Sequence, residues 1–378
     1  MQRSFVVVSA LTISTFCLAR VAGAAQSAPG QVPVGAVYVA TNDPAGNEVV
    51  AFTRLANGEL LSAPTRFSTR GQGSGGPLGN QGGLALTEDE RFLLAVNARS
   101  DDVTVFLVQA DGLEVRELEP TGGQRPISIA THDNWVYVLN GGGLAGGIDQ
   151  IAGFQLTAFG TLLPLAGSVQ HLSAPSTDPA QISFSPDGSF LVVTEKMTNK
   201  VTVFAVSSDG IAAAPHSQPS AGPTPFGFGF GVRDQLFVSE AFGGRTDSSA
   251  VSSYVISGTG RFRVIDASAP TTETAACWIA VTPGGRFVYA SNTGSDSITG
   301  YAVSFDGGLS LLDQNGITAK TGDKPIDLDL SNDGQFLYVL GSGDGSITAM
   351  RVDLENGDLH KIDEEDQLPL SANGLVAR

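Results

Sequence analysis

Cysteine is nearly missing from this chain, with Cys17 and Cys277 the only two in 378 residues. So few thiols build neither a disulfide framework nor a thiolate-rich metal centre. Histidine is scarce as well, at four (His132, His171, His216 and His360). Charged residues make up only 16% of the chain, and acidic residues outnumber basic ones 38 to 21, for a net charge of −17. Such a balance repels phosphates and argues against nucleic acid or an anionic membrane as a partner. No Gly-x-Ser-x-Gly elbow occurs, which removes one common way of presenting a serine nucleophile. No stretch beyond residue 25 is long and apolar enough to cross a bilayer.

The longest apolar run is terminal. Arg3, the apolar Phe5–Ala19 and the small-residue triplet Ala22-Gly23-Ala24 have the order of a cleavable signal peptide. Bulky Phe16 ahead of Cys17 does not suit a lipid-anchor site. The reading is therefore a signal peptide over residues 1–25 and one domain over 26–378. The expected location is periplasmic or secreted, and the expected mature chain keeps the single thiol of Cys277.

Glycine, by contrast, is abundant at 47 residues, and it punctuates a repeat. Asp178–Val206 reads as strand, Ser185-Pro186-Asp187-Gly188 turn, strand, polar loop, strand. Leu84–Asn97, Ile279–Asn292 and Leu328–Gly341 repeat it closely, while Ile127–Asn140 and Phe228–Glu240 do so loosely. The residues ending the second strand are Asn42, Asn97, Asn140, Glu195, Glu240, Asn292 and Gly341, spaced 43 to 55 apart. A period near fifty built of strands and turns is that of propeller blades, one four-stranded sheet each. The fold class expected is all-β, a seven-bladed β-propeller of four-stranded antiparallel blades. Nothing before Ala36 supplies an innermost strand for the first blade. Asn373-Gly374-Leu375-Val376-Ala377 resembles Gln81-Gly82-Gly83-Leu84-Ala85 and is assigned to close the ring.

This topology sends the Ser-Pro-Asp-Gly turns to a bottom face and the strand-end markers to a top face. The irregular loops Gly141–Ile151 and Ala241–Val251 belong to the top, where binding functions usually sit. Residues expected around the top mouth of the channel are Gln81, Arg125, Asn140, Gln181, Glu195, Lys196, Glu240, Trp278, Asn292 and Asp327. Glu195 and Glu240 replace asparagine in two blades, and a carboxylate in a narrowing channel is costly without a partner. They are candidates for base or proton carrier, with Arg125 or Lys196 holding an oxyanion or carboxylate. Arg125 also reads as a simple partner for one of the glutamates, Lys196 as an edge charge, and Cys277-Trp278 as blade packing. The histidines fall mostly on bottom turns or outer strands, so no His-based metal site is expected on top. An oxygen set of Glu195, Glu240, Asn140, Asn292 and Asp327 would suit a hard cation such as Ca²⁺ or Mg²⁺; otherwise no cofactor is expected. The Gly-x-Gly-x-x-Gly at Gly71, Gly73 and Gly76 lacks a preceding strand and a following helix, so it reads as a loop.

The S-P-D-G-x-F unit followed by V-T-V-F-x-V-x-x-D-G resembles the seven-bladed lactonase propellers, a family that includes 6-phosphogluconolactonase and carboxy-muconate cyclases. The likeness covers the chain from about Ala36 onward. It implies a hydrolase or cyclase acting at the top of the channel. Where the family shows P-H-x-H, this chain has Thr177-Asp178-Pro179-Ala180, and where it shows N-R-G-H-D-S, this chain has Asn292–Ser297. The family's N-E remains as Ser239-Glu240. With those His and Arg residues replaced, the expected substrate is a small lactone of little charge. The alternative is a propeller that binds a ligand or protein without catalysis. The partner expected is a small molecule, with the chain a monomer.

Overall fold

The structure, a computed structural model, describes residues 1–2 and 31–378. The signal-peptide reading therefore lies outside the described residues, apart from its first two. Among the described residues, no helix is long and apolar enough to cross a membrane. Seven antiparallel sheets follow one another around a ring, each with an innermost, second, third and outer strand. In blade four these are Pro179–Phe184, Phe190–Glu195, Lys200–Ala205 and His216–Pro219. Blades three and six carry a short extra strand pairing with the third, at Gln170–His171 and Ala319–Lys320. Blade one is built from both ends of the described chain. Its sheet order, from outside in, is Thr65–Ser68, Glu48–Leu55, Pro33–Ala40 and Asn373–Ala377. The C-terminal strand thus closes the ring, as its sequence predicts.

Local chemistry explains why these segments turn where they do. In the blade-four turn, Phe190 N–H donates to Ser185 Oγ at 3.0 Å, and Ser185 Oγ donates to Asp187 at 2.6 Å. Gly188 takes the left-handed φ of 70° that completes it. Thr87 with Asp89 and Ser331 with Asp333 rebuild this turn in blades two and seven. The ends of the innermost strands repeat as well. Arg125, Asp178, Thr224, Ala275 and Lys324 hold left-handed φ values of 48° to 58° immediately before those strands. A register shift follows each of them. Two of the basic or acidic residues at the top mouth are therefore displayed by a device that five blades share.

Adjacent blades are stitched by tyrosines of the second strand. Tyr137, Tyr289 and Tyr338 donate to the carbonyls of Gly210, Gly357 and Gly58, each in the next blade around the ring. The largest apolar cluster joins blade one to blades six and seven, with Val37, Leu375 and Ala377 beside Leu337 and Ile347. Ring closure is thus a packed seam.

Two aspartates of blade seven finish this seam. Asp327 accepts from Leu375 N–H at 3.2 Å, and Asp329 accepts from Ala377 N–H at 2.9 Å, both on the free edge of the closing strand. Burial pushes the Asp327 carboxyl up to about 8 and that of Asp329 up to about 6. Their folded values lie above the unfolded one, near 3.9 for aspartate. The stability they contribute is therefore complete below about pH 4 and is lost as pH rises towards 8. Asp327→Asn keeps an acceptor for Leu375 and removes the ionisation. It is expected to flatten the fall in melting temperature between about pH 5 and 8; an unchanged slope would exclude Asp327 as its source.

Candidate functional site at the top of the channel

The top mouth is filled by the chain itself. After leaving blade one, the glycine-rich segment 71–83 runs over the channel, and its Leu78–Gln81 portion descends into it. Three successive carbonyls there meet side-chain donors from three different blades. Arg125 Nη2 donates to Leu78 O at 3.1 Å, Lys196 Nζ donates to Gly79 O, and Trp278 Nε1 donates to Asn80 O at 2.6 Å. The amide of Gln81 donates to Ala180 O at 3.0 Å, and Ile129 N–H donates to Gly82 O at 2.9 Å.

Around these contacts lies a compact charged group. Lys196 Nζ sits 3.3 Å from Asp178 Oδ1 and 4.7 Å from the centroid of the Phe226 ring. Phe226 in turn lies 4.9 Å from Trp278, ring to ring. Burial works against the charges of both Lys196 and Arg125, holding their pKa values below the ordinary ones, and Asp178 offsets the effect for each. The Lys196 side chain is 8% exposed and that of Asp178 26%, so the carboxylate is the member that meets solvent. Asp178 is steadied from behind. Asp149 accepts from Gly143 N–H at 2.7 Å and from Thr177 N–H at 2.5 Å, tying the blade-three loop to the residue before Asp178. Two cations that already hold carbonyl oxygens, beside a solvent-touching carboxylate, form an arrangement able to stabilise an oxyanion and move a proton.

Of the ten residues expected at the mouth, Arg125, Lys196 and Trp278 converge there, and Gln81 enters with the loop. Gln81 and Gln181 use their amides as if they were backbone. Gln81 donates to Ile279 O at 2.9 Å and accepts from Ile279 N–H at 3.2 Å. Gln181 does the same with Phe228, at 3.1 and 2.7 Å. Gln181 thus joins the inner strands of blades four and five and Asp327 those of blades seven and one, while Gln81 reaches blade six.

The remaining four lie away from the mouth. Glu195, Glu240, Asn140 and Asn292 end second strands, one strand removed from the channel, and their side chains fasten their own blades and the segments that lead into them. Glu195 accepts from Thr202 at 2.5 Å, Thr198 at 2.6 Å, and the Ser173 amide and hydroxyl. Glu240 accepts from Gly222 N–H at 2.7 Å and from the Ser252 and Ser268 hydroxyls at 2.5 Å each. Burial still raises its pKa against these bonds. Asn140 accepts from Thr121 at 2.7 Å, and Asn292 donates to Thr299 at 2.9 Å. Asn97 makes the same 2.9 Å bond to Thr104, which marks the residue type at this position as a blade peg. Nor do Glu195, Glu240, Asn140, Asn292 and Asp327 converge as a cation cage. Among the described residues, no group of three or more His, Cys, Asp or Glu is placed to hold a metal.

Glu240→Gln keeps an acceptor for Gly222 while weakening its two serine bonds. It is expected to lower stability by about 1–3 kcal/mol and leave any turnover at the mouth within about threefold. A turnover loss of about a hundredfold, with the fold intact, would return Glu240 to the chemistry. Cys277 is buried, and burial pushes its thiol up to about 12, which favours the unreactive thiol form. Asp178 was legible only as the residue standing where the P-H-x-H pattern would place a histidine, because a lone Asp before Pro reads as turn chemistry.

A family model described as "Lactonase, 7-bladed beta-propeller" matches residues 148–261 and 247–372. A 6-phosphogluconolactonase of Yersinia enterocolitica is 28% identical over 192 residues, which is 48% of this chain and 55% of that protein. The chain thus spans about half the length of the curated relatives it matches. Among solved structures, a putative 6-phosphogluconolactonase of Bacteroides fragilis superposes with a TM-score of 0.70 at 19% identity, covering 91% of this chain and 98% of that one. The periplasmic gluconolactonase PpgL of Pseudomonas aeruginosa gives 0.68 at 18% identity, over 91% and 98% respectively. At such identities these two likenesses speak to the fold alone. With more than half of its length matched by the family model, the chain belongs to the seven-bladed propeller lactonase family.

Proposed function

We propose that this chain opens a small lactone of little charge at the top mouth of its channel, with Arg125, Lys196 and Asp178 as the working residues. The observation that carries the reading is the pairing of Arg125 and Lys196 with the carbonyl oxygens of Leu78 and Gly79. Groups that hold two carbonyl oxygens are suited to a lactone carbonyl and to the carboxylate it becomes. Water adds to the acyl carbon, and its proton goes to Asp178. The negative charge that develops on the carbonyl oxygen is met by Lys196 and Arg125. The acyl C–O bond then breaks, Asp178 returns the proton to the departing alkoxide, and a hydroxy acid is formed. At neutral pH that acid ionises, so each turnover releases one proton.

A 6-phospho substrate would bring a dianion to a chain that is strongly acidic, which favours a neutral sugar lactone. The second reading, a propeller that binds without catalysis, is favoured by the self-filled mouth. Proton release at constant pH over a panel of neutral lactones separates the two. The expected result is turnover by the native chain, reduced about 10²–10⁴-fold in Asp178→Asn. No turnover of any lactone by the native chain would leave the binding reading.

A further inference from the structure

The segment that fills the mouth has the features of an occupant. We propose that Leu78–Asn80 is a built-in strap that holds the donors of three blades until the lactone, or the hydroxy-acid carboxylate it becomes, displaces it. The inference rests on the reading of the mouth given above and adds how that site is controlled.

The contacts are those a ligand would make. Consecutive carbonyls of Leu78, Gly79 and Asn80 take Arg125, Lys196 and Trp278 in turn. Yet the strap satisfies the site incompletely. Arg125 Nη1 is buried with no partner, although Nη2 of the same guanidinium is engaged. Asn80 Oδ1, on the strap itself, is buried and unpartnered too. A carboxylate fits both arms of a guanidinium, where one peptide carbonyl fits only one. The ligand and the strap therefore compete for the same donors, and the ligand has the better match.

The strap is also bounded as a movable piece would be. Upstream it is tied to blade one, with Gly73 N–H donating to Asp43 O at 2.8 Å and Gly75 N–H to Asn42 O at 2.9 Å. Asn42 Nδ2 adds a bond to Gly76 O at 2.8 Å. Beyond that anchor, Gly76 stands in open space, and Gly79 and Gly82 hold left-handed φ values of 65° and 79°. Glycine at such points lets the backbone reorient at little steric cost. Between the glycines, Leu78 is the apolar anchor, 3% exposed and packed with the blade two and three core. Displacement is thus confined to Pro77–Gln81, and Leu78 sets how firmly the strap sits.

Two measurements test this. The first needs no ligand. The Gln81 amide, held by Ala180, is expected to exchange its hydrogen at least about tenfold faster than the Val193 amide in the blade-four sheet. Equal rates would show that the strap opens only with the whole domain and would overturn the proposal whatever the site's chemistry. The second uses D-gluconate as probe in a Trp135→Phe chain, which leaves Trp278 as the sole tryptophan of the two. Leaving the Asn80 carbonyl alters the indole, so Trp278 emission is expected to change saturably. Leu78→Gly is expected to tighten the apparent Kd about tenfold, because less of the population must be shifted before binding. An unchanged Kd in a folded Leu78→Gly chain overturns the strap. If gluconate binds neither chain although Gln81 exchanges fast, it is the carboxylate reading of the mouth that fails. Should Leu78→Gly not fold, the exchange rates of the native chain still decide.

Discussion

A chain ending at Ala372 is expected to lose the ring. Removing Asn373–Arg378 takes the innermost strand from blade one and exposes the Pro33–Ala40 edge to which it pairs. Leu375 and Ala377, 4% and 3% exposed, vanish from the seam between blades one and seven. Asp327 and Asp329 lose the N–H donors of Leu375 and Ala377. Arg54 loses the Arg378 carbonyl it holds at 2.8 Å. Burial of the leucine alone contributes about 1.5–3 kcal/mol, and each orphaned buried polar group costs about 1–3 kcal/mol. The sum is expected to exceed about 5 kcal/mol, enough to leave most single domains unfolded or aggregated through the open edge. Urea melts and elution volume check it. A truncated chain that melts within a degree of the full one would contradict the seam.

The second large effect is expected at the mouth. Lys196→Met keeps an unbranched apolar side chain and removes the charge that faces Asp178, Gly79 O and the Phe226 ring. Turnover of an accepted lactone should fall about 10²–10³-fold, the usual consequence of losing one oxyanion donor. Arg125→Gln should act similarly. Melting temperatures should change far less, since the strap remains held by the other donors. The pH profile carries a sign. Burial lowers the Lys196 pKa, so activity should decline on the alkaline side earlier than for a solvated lysine. In Lys196→Met the residual activity should lack that alkaline limb, and its persistence would assign the limb to another group.

Much of the fold can be read from turn chemistry, because Ser185, Asp187 and Gly188 fix a turn through their own side chains and φ, with no help from distant contacts. The closing strand is legible for the same reason: Asn373-Gly374-Leu375 repeats a local pattern. Arg125, Lys196 and Trp278 follow from topology alone, since strand direction puts their positions at the top. Glu195 and Glu240 were misplaced because strand direction fixes height in a blade and leaves open which strand a side chain addresses. The hydroxyls of Thr202 and Ser252 decide that, and they lie seven and twelve residues on. The strap was illegible. Its partners Trp278 and Ile279 stand 198 residues from Asn80 and Gln81, and a glycine-rich segment carries no periodicity to say where it goes.

A crystal of the native chain equilibrated with D-gluconate tests most directly where the ligand binds. The carboxylate is expected against both arms of Arg125 and within hydrogen-bond reach of Lys196, with Leu78–Asn80 drawn out of the channel. Gluconate bound elsewhere, such as the 390 Å³ groove between blades one and two beside Arg378, with Leu78–Asn80 still holding Arg125, Lys196 and Trp278, would contradict it.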